Sequence, residues 1–163
     1  MATVISETNV HKTQEETGQF LTFQLAGQDY GLDILSVQEI RGYVPPTRLP
    51  KAPTHVTGVL NLRGAIVPLY DMRQMFEMSA TEYDQFSAIV VANIDSKVVG
   101  LVVDRVSEVI TASTSDIQPP PNLGDAAGPG CVRGILRHED NLVILLDAHA
   151  LLNVDAADFA VAA

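Results

Sequence analysis

Residues 30–40, YGLDILSVQEI, lie over residues 99–109, VGLVVDRVSEV, when the chain is shifted against itself by 69 positions. The overlay puts Gly31 on Gly100, Leu32 on Leu101, Val37 on Val106 and Glu39 on Glu108. A second overlay, at an offset of 76, sets residues 58–72, GVLNLRGAIVPLYDM, on residues 134–148, GILRHEDNLVILLDA. There Gly58 meets Gly134, Leu60 meets Leu136, Val67 meets Val143 and Asp71 meets Asp147. Both blocks keep their internal spacing and their order, so the chain reads as one unit written twice, in halves of about 20–85 and 86–154. The seven extra residues of the second copy fall in DIQPPPNLGDAAGPG (116–130), rich in Pro, Gly and Ala as a long surface connection should be. Its shorter counterpart is PPTRLPKAPTHVTG (45–58).

Within each half the hydrophobic period is that of strands. In FLTFQL, Leu21, Phe23 and Leu25 alternate with polar residues; GQD offers a turn, and Tyr30, Leu32 and Ile34 resume the alternation. This predicts a hairpin. AIVVANI, the turn DSK and VVGLVVD repeat it in the second half with unbroken Val and Ile, the pattern of strands buried on both faces. LSVQEIRG is read as a strand, although Ile34, Val37 and Ile40 also suit a helical turn. Each half closes on a strand, AIVPLYD or NLVILLD, that runs into a short helical stretch, MRQMFEM or AHALLNV, with Asp71 and Asp147 at the N-cap positions. Pro68 cannot donate to a sheet ladder, which predicts an edge or a bulge there. Two β units this small would gain stability by packing apolar walls together, leaving a groove between them.

Composition narrows the function. The 163 residues carry a net charge of −10 and no basic block, so their field repels a phosphate backbone and nucleic acid is not an expected partner. Apolar residues make up 47% but form no run near the roughly 18 that a membrane helix needs. The start, MATVISETNVHKTQEETG, lacks the basic opening and apolar centre of a secretory signal, and a cytoplasmic location is expected. Cys131 is the only cysteine, which excludes an internal disulfide and is read as a small apolar residue. The histidines His11, His55, His138 and His149 show no helical metal-site spacing. Phosphate-binding loops, dinucleotide fingerprints and nucleophile elbows are all missing from the sequence.

One arginine stands out. In GVLNLRG (58–64), Arg63 sits among apolar residues ahead of a strand. It could neutralise a catalytic or ligand anion, form an internal salt bridge to Glu39 or Asp71, or stand on a surface that another protein reads. Asp71 and Asp147, one from each half, suggest the shared-proton dyad of a two-lobed hydrolase. Yet they stand in YDM and LDA, without the glycine-containing turn such a dyad uses, and two helix caps account for them better.

The order FLTFQL, YGLDILSVQEIRGY, GVLNLRGAIVPLYDMR, VVGLVVDRVSEVI, IQPPP and VILLDAHALL resembles the CheW family of bacterial chemotaxis adaptors over about residues 18–154. The resemblance implies a mainly β fold: two SH3-like five-stranded barrels packed around a shared apolar core, with short helices. Residues 1–17 and 155–163 would then be tails. It further implies an adaptor without catalytic activity or cofactor. Such a protein links the cytoplasmic tips of chemoreceptors to the regulatory domain of the histidine kinase CheA, and is held in receptor arrays at the inner face of the membrane without inserting into it. The family's domain also occurs inside CheA and CheV, whose additional segments do not fit in 163 residues.

Matched residue by residue, the family's receptor and kinase contacts fall on Val37, Glu39, Arg41, Gly58, Asn61, Arg63 and Gly64. The second copy departs here, with Arg137, His138, Glu139 and Asp140 in place of Asn61, Leu62, Arg63 and Gly64, so the partner surface is expected to be asymmetric. Glu39 and Gly58 have the same residue in the other copy, which is also what a purely structural role would produce. A scaffold of the same kind serving another kinase or a motility pathway is the second reading.

Overall fold

The computed structural model describes residues 17–52, 56–79, 82–120 and 131–151. Apart from Thr17, both tails lie outside these residues, as do His11, His55 and most of the 116–130 connection. The strands are β1 (Thr17–Leu25), β2 (Gln28–Asp33), β3 (Val37–Gly42), β4 (Val56–Leu62), β5 (Ala65–Asp71), β6 (Ala88–Ile94), β7 (Lys97–Val103), β8 (Arg105–Ser113), β9 (Ile117–Gln118), β10 (Val132–His138) and β11 (Asn141–Leu146). One helical turn, α1 (Met72–Met75), follows β5, and residues 148–151 begin another after β11. The mainly β reading holds. LSVQEIRG divides: Ile34–Ser36 form one 3-10 turn capped by the Asp33 carboxylate, and the strand starts at Val37.

The sheets do not follow the division of the sequence into halves. One sheet has the order β8-β1-β2-β11-β10-β9 and the other β3-β6-β7-β5-β4. Hairpin β1–β2 thus pairs with β8 and β11 of the other half, while β6–β7 pairs with β3 and β5. The copies have exchanged their first hairpins, so residues 20–85 and 86–154 are repeats without being the barrels themselves. Each sheet curls on itself. β8 and β9 are the two edges of the first sheet, yet they are consecutive in the chain across the 3-10 turn Thr114–Asp116. In the second sheet the segment after β3 returns beside β4, where Thr47 and Val59 exchange backbone hydrogen bonds of 2.9 and 2.8 Å.

Three apolar clusters result. Phe20, Ile110, Leu136, Val143 and Leu145 fill the first barrel, and Leu62, Val67, Leu69, Ile89, Val91 and Val102 fill the second. Between the barrels lies the largest cluster, including Leu21, Phe23, Leu25, Tyr30 and Leu32 from one sheet and Val90, Ala92, Leu101 and Val103 from the other. This explains the unbroken Val and Ile of β6: Ile89 and Val91 point into their own barrel, Val90 and Ala92 into the shared core. Cys131 is in that core, where burial pushes its thiol up to about 11.

The repeated glycines sit where neighbouring atoms leave no room for a side chain. Gly31 pairs with Leu145 and Gly100 with Leu69, each across the parallel ladder that joins an exchanged hairpin to its barrel. An added Cβ would lie 2.7 Å from Leu145 Cδ2 at the first position and 2.4 Å from Leu69 Cδ2 at the second. Gly58 and Gly134 each follow a register shift in their strand. At Gly58 a Cβ would meet the Thr47 carbonyl oxygen at 2.3 Å; at Gly134 it would meet Ile117 Cγ2 at 2.6 Å.

Four two-residue hairpin turns have both residues at positive φ: Ala26–Gly27, Arg63–Gly64, Asp95–Ser96 and Glu139–Asp140. That backbone matches the twist of the flanking strands. The first turn therefore starts one residue ahead of GQD and shares only its glycine, Gly27. Both aspartates cap as expected: Asp71 Oδ1 accepts from the N–H groups of Arg73 and Gln74 at 3.0 and 3.4 Å, and Asp147 Oδ1 from that of Ala150 at 3.2 Å. Pro68 faces β4 at Val59, and β5 begins pairing with β7 only at Leu69, so the proline occupies a one-sided stretch of an otherwise internal strand.

Candidate partner-binding site

β3 and β4 are the two edge strands of the second barrel, and Arg63, in the turn after β4, reaches across the seam between them. Its guanidinium donates to both oxygens of Glu39, at 2.7 and 3.4 Å. Arg41 Nη1 lies 3.8 Å from the same carboxylate. The register accounts for the arrangement. Val37 is opposite Ala92 of the shared core; a shift follows, and Glu39 and Arg41 then lie opposite Val91 and Ile89, which belong to the barrel interior. Glu39 and Arg41 therefore stand at the mouth of the barrel.

The seven residues singled out in the sequence separate into three groups. Glu39, Arg41 and Arg63 form one ionic cluster, with side-chain exposures of 27%, 37% and 63%. Asn61 and Gly64 shape the turn that presents Arg63: the Asn61 side-chain oxygen accepts from the Gly64 N–H at 2.9 Å, and Gly64 has open space around its Cα. Val37 packs against the shared core and Gly58 against the Thr47 carbonyl, so both act on the surface through its shape. Of the salt-bridge partners considered for Arg63, Glu39 is the one found; the Asp71 carboxylate is taken up by its cap and by the Tyr83 hydroxyl at 2.8 Å. Ile40, on β3, and Ile66, opposite Asn61 on β5, are also exposed, at 46% and 66%.

Hydrogen bonding from Arg63 holds the Glu39 carboxyl below its ordinary value and the guanidinium above its own. Both charges are thus fixed over the whole range in which a protein works. The exposed cluster offers a partner two guanidinium groups whose shared carboxylate leaves donors unused.

Two features were not visible in the sequence. Arg73 on α1 grips Asp104 through Nε and Nη2 at 2.8 and 2.7 Å, and Asp104 also accepts from the Ala26 N–H at 2.8 Å. The clamp ties the end of one sheet to the first hairpin turn of the other, and Arg73 draws the Asp104 carboxyl down. Tyr43 stacks on Tyr83 with ring centroids 4.0 Å apart. Neither contact has a local sequence signature, because both join residues that only the tertiary fold brings together. The expected groove between the barrels is a polar cavity of about 330 Å³, with Asp33, Arg133 and Asp147 on one side and Asn93 and Asp95 on the other.

Among the described residues no helix is long and apolar enough to cross a membrane, and no group of His, Cys, Asp or Glu side chains is arranged to hold a metal ion. The model of the CheW-like domain family matches residues 19–156. The chain is 40% identical to the chemotaxis protein CheW of Klebsiella aerogenes over 140 residues, covering 85% of this chain and 84% of that one. To the chemotaxis protein CheW of Rhizobium meliloti it is 39% identical, covering 79% and 83%. The crystal structure of the scaffolding protein TtCheW from Thermoanaerobacter tengcongensis superposes with a TM-score of 0.77 at 33% identity, covering 83% of this chain and 92% of that one. With the family model matched over residues 19–156 and relatives up to 40% identical over most of its length, the chain belongs to the CheW-like domain family.

Proposed function

We propose that the protein is a non-catalytic adaptor of bacterial chemotaxis, coupling the cytoplasmic tips of chemoreceptors to the regulatory domain of the histidine kinase CheA and so setting the activity of that kinase. The family match over residues 19–156 carries this reading. The Arg63–Glu39–Arg41 cluster, with Asn61 and Gly64 shaping its turn and Val37 and Gly58 supporting it, is the surface the partners read. Arginine suits the task, since its planar fork can engage carboxylates or several carbonyls at once and is enriched where binding energy concentrates. The protein works in the cytoplasm, held at receptor arrays through its partners.

Reconstitution tests the proposal. Added to a receptor cytoplasmic fragment and CheA, the protein is expected to change the rate of kinase autophosphorylation, and by itself to turn over no nucleotide. ATP hydrolysis that survives repurification and disappears in a point mutant of this chain would overturn the adaptor reading.

A further inference from the structure

Thr57, near the start of β4, and Arg63, beyond its end, are six residues and so about 20 Å apart along the strand. At the Thr57 end a separate cavity of about 350 Å³ opens beneath the segment that follows β3. Its wall is the Tyr43–Tyr83 stack, with ring planes 20° apart. Ala52 and Val56 give it an apolar floor, and Leu49, 46% exposed, stands at its rim. Arg48 and Lys51 also line it. Acidic residues outnumber basic ones by 20 to 10 in this chain, yet among the described residues neither of these cations is paired with a carboxylate. Among the described residues the one acid in the lining is Asp71, and its charge is met within the wall by two backbone N–H groups and the Tyr83 hydroxyl.

We propose that this cavity is a second docking site, which takes a short acidic peptide segment of a protein partner. A carboxylate of the segment sits between Arg48 and Lys51, and a neighbouring apolar side chain covers Leu49 and the edge of the tyrosine stack. The surroundings select this class of ligand. A long polyanion such as nucleic acid meets the repulsion of a net charge of −10, whereas one or two carboxylates are offset locally by the two free cations. A bare inorganic anion would satisfy the cations and leave the leucine and the rings uncovered. The site is also unlike the Arg63 seam, where the guanidinium already holds Glu39 and an incoming acid has to compete with it.

The test titrates the full-length, nitrogen-15-labelled protein with the pentapeptide acetyl-Glu-Leu-Glu-Phe-Glu-amide and maps the amide shifts. Shifts at Tyr43, Lys51, Thr57 and Tyr83 are expected. The double variant Arg48→Gln, Lys51→Gln should weaken binding by about tenfold or more, and so should replacing the peptide's glutamates by glutamines. Leu49→Ser, which leaves every charge in place, should weaken it by a smaller factor. Three results would each overturn the proposal: no shifts at millimolar peptide, shifts centred on Glu39 and Arg63 instead, or the same shifts from sodium acetate at equal carboxylate concentration. Tighter binding of a DNA duplex than of the peptide would likewise do so.

Discussion

The seams of the two barrels are built alike and charged differently. In each, a glutamate at the equivalent position, Glu39 or Glu108, reaches across the seam; Glu39 meets Arg63, in the turn after edge strand β4, at 2.7 Å, whereas Glu108 meets Nε2 of His138, at the end of β10, at 3.3 Å. The turn that offers Arg63–Gly64 in one copy offers Glu139–Asp140 in the other, in the same positive-φ backbone. Arg41 corresponds to Ile110, which is buried. Strand pairing, bulges and close glycines have been retained through duplication because the packing demands them, while the turns have been free to change sign. Two faces of one shape therefore present opposite charge, and the residues that differ are the few that packing does not constrain.

The most severe way to break the comparison is to separate the copies. A fragment of residues 18–85 lacks the strands that β1 and β2 pair with, and is expected to remain unfolded, while the full chain unfolds in one cooperative transition. A well-dispersed NMR spectrum from the fragment would refute the exchanged-hairpin architecture as a requirement for folding. Next come the bulges. Gly58→Ala forces a Cβ against a backbone carbonyl and should destabilise by about 3 kcal/mol. Gly134→Ala meets Ile117 Cγ2 at 2.6 Å and the Gln118 carbonyl oxygen at 2.8 Å, a less close backbone approach than at Gly58, and should cost about 2 kcal/mol in denaturant melts. Equal values would mean that the two bulges are constrained alike.

The two arginine clamps sharpen the contrast between structure and display. Arg73→Ala leaves Asp104, which is 26% exposed and half enclosed between the sheets, without its partner, and should destabilise by about 1–2 kcal/mol. Arg63→Ala should leave the denaturation midpoint unchanged within scatter, yet lower affinity for receptor or kinase by roughly ten- to a hundredfold. Arg137→Ala, at the Asn61 position of the other copy, is the control and should do much less. Titration calorimetry distinguishes the cases: parental affinity in Arg63→Ala, together with lost stability, would make that arginine a structural brace.

The smallest effect is one of pH. The Glu39 carboxyl is held below its ordinary value in the folded state by Arg63. Its contribution to stability is therefore complete above the ordinary carboxylate range and is lost as pH falls through the lowered value. In Arg63→Ala the Glu39 side-chain carboxyl, followed by NMR, should titrate higher than in the parent. An unchanged titration would mean that the hydrogen bond does not persist in solution.

The duplication, the hairpins, the helix caps and the double-sided burial of β6 were legible because each leaves a local period or an aligned residue pair. Exchange of the hairpins was not: Leu32 pairs with Leu146 and Phe20 with Ile110, and nothing in either short stretch names its distant partner. The turns were only half legible, since Ala-Gly, Arg-Gly, Asp-Ser and Glu-Asp lack the asparagine–glycine signature of their geometry. For the site, position was legible and pairing was not. The sequence left both Glu39 and Asp71 open as partners for Arg63, and it was the engagement of Asp71 by Tyr83 and α1 that left Glu39 to the arginine.

Exchange of the hairpins has a bearing on how the chain is made. The first hairpin leaves the ribosome with both of its ladders empty, because Arg105–Ser113 and Asn141–Leu146, which flank it, are among the last strands to be synthesised. Until then Thr17–Leu25 and Gln28–Asp33 are apolar strands with open edges, the form of a nascent chain most prone to wrong pairing. Contacts this distant along the chain also delay folding, since the loop must close before any of its contacts form. The second barrel, built from β3 to β7, has all its strands by Val103, but the first needs β8 to β11 as well as the first hairpin, so the adaptor reaches its working form only once its C-terminal strands have emerged.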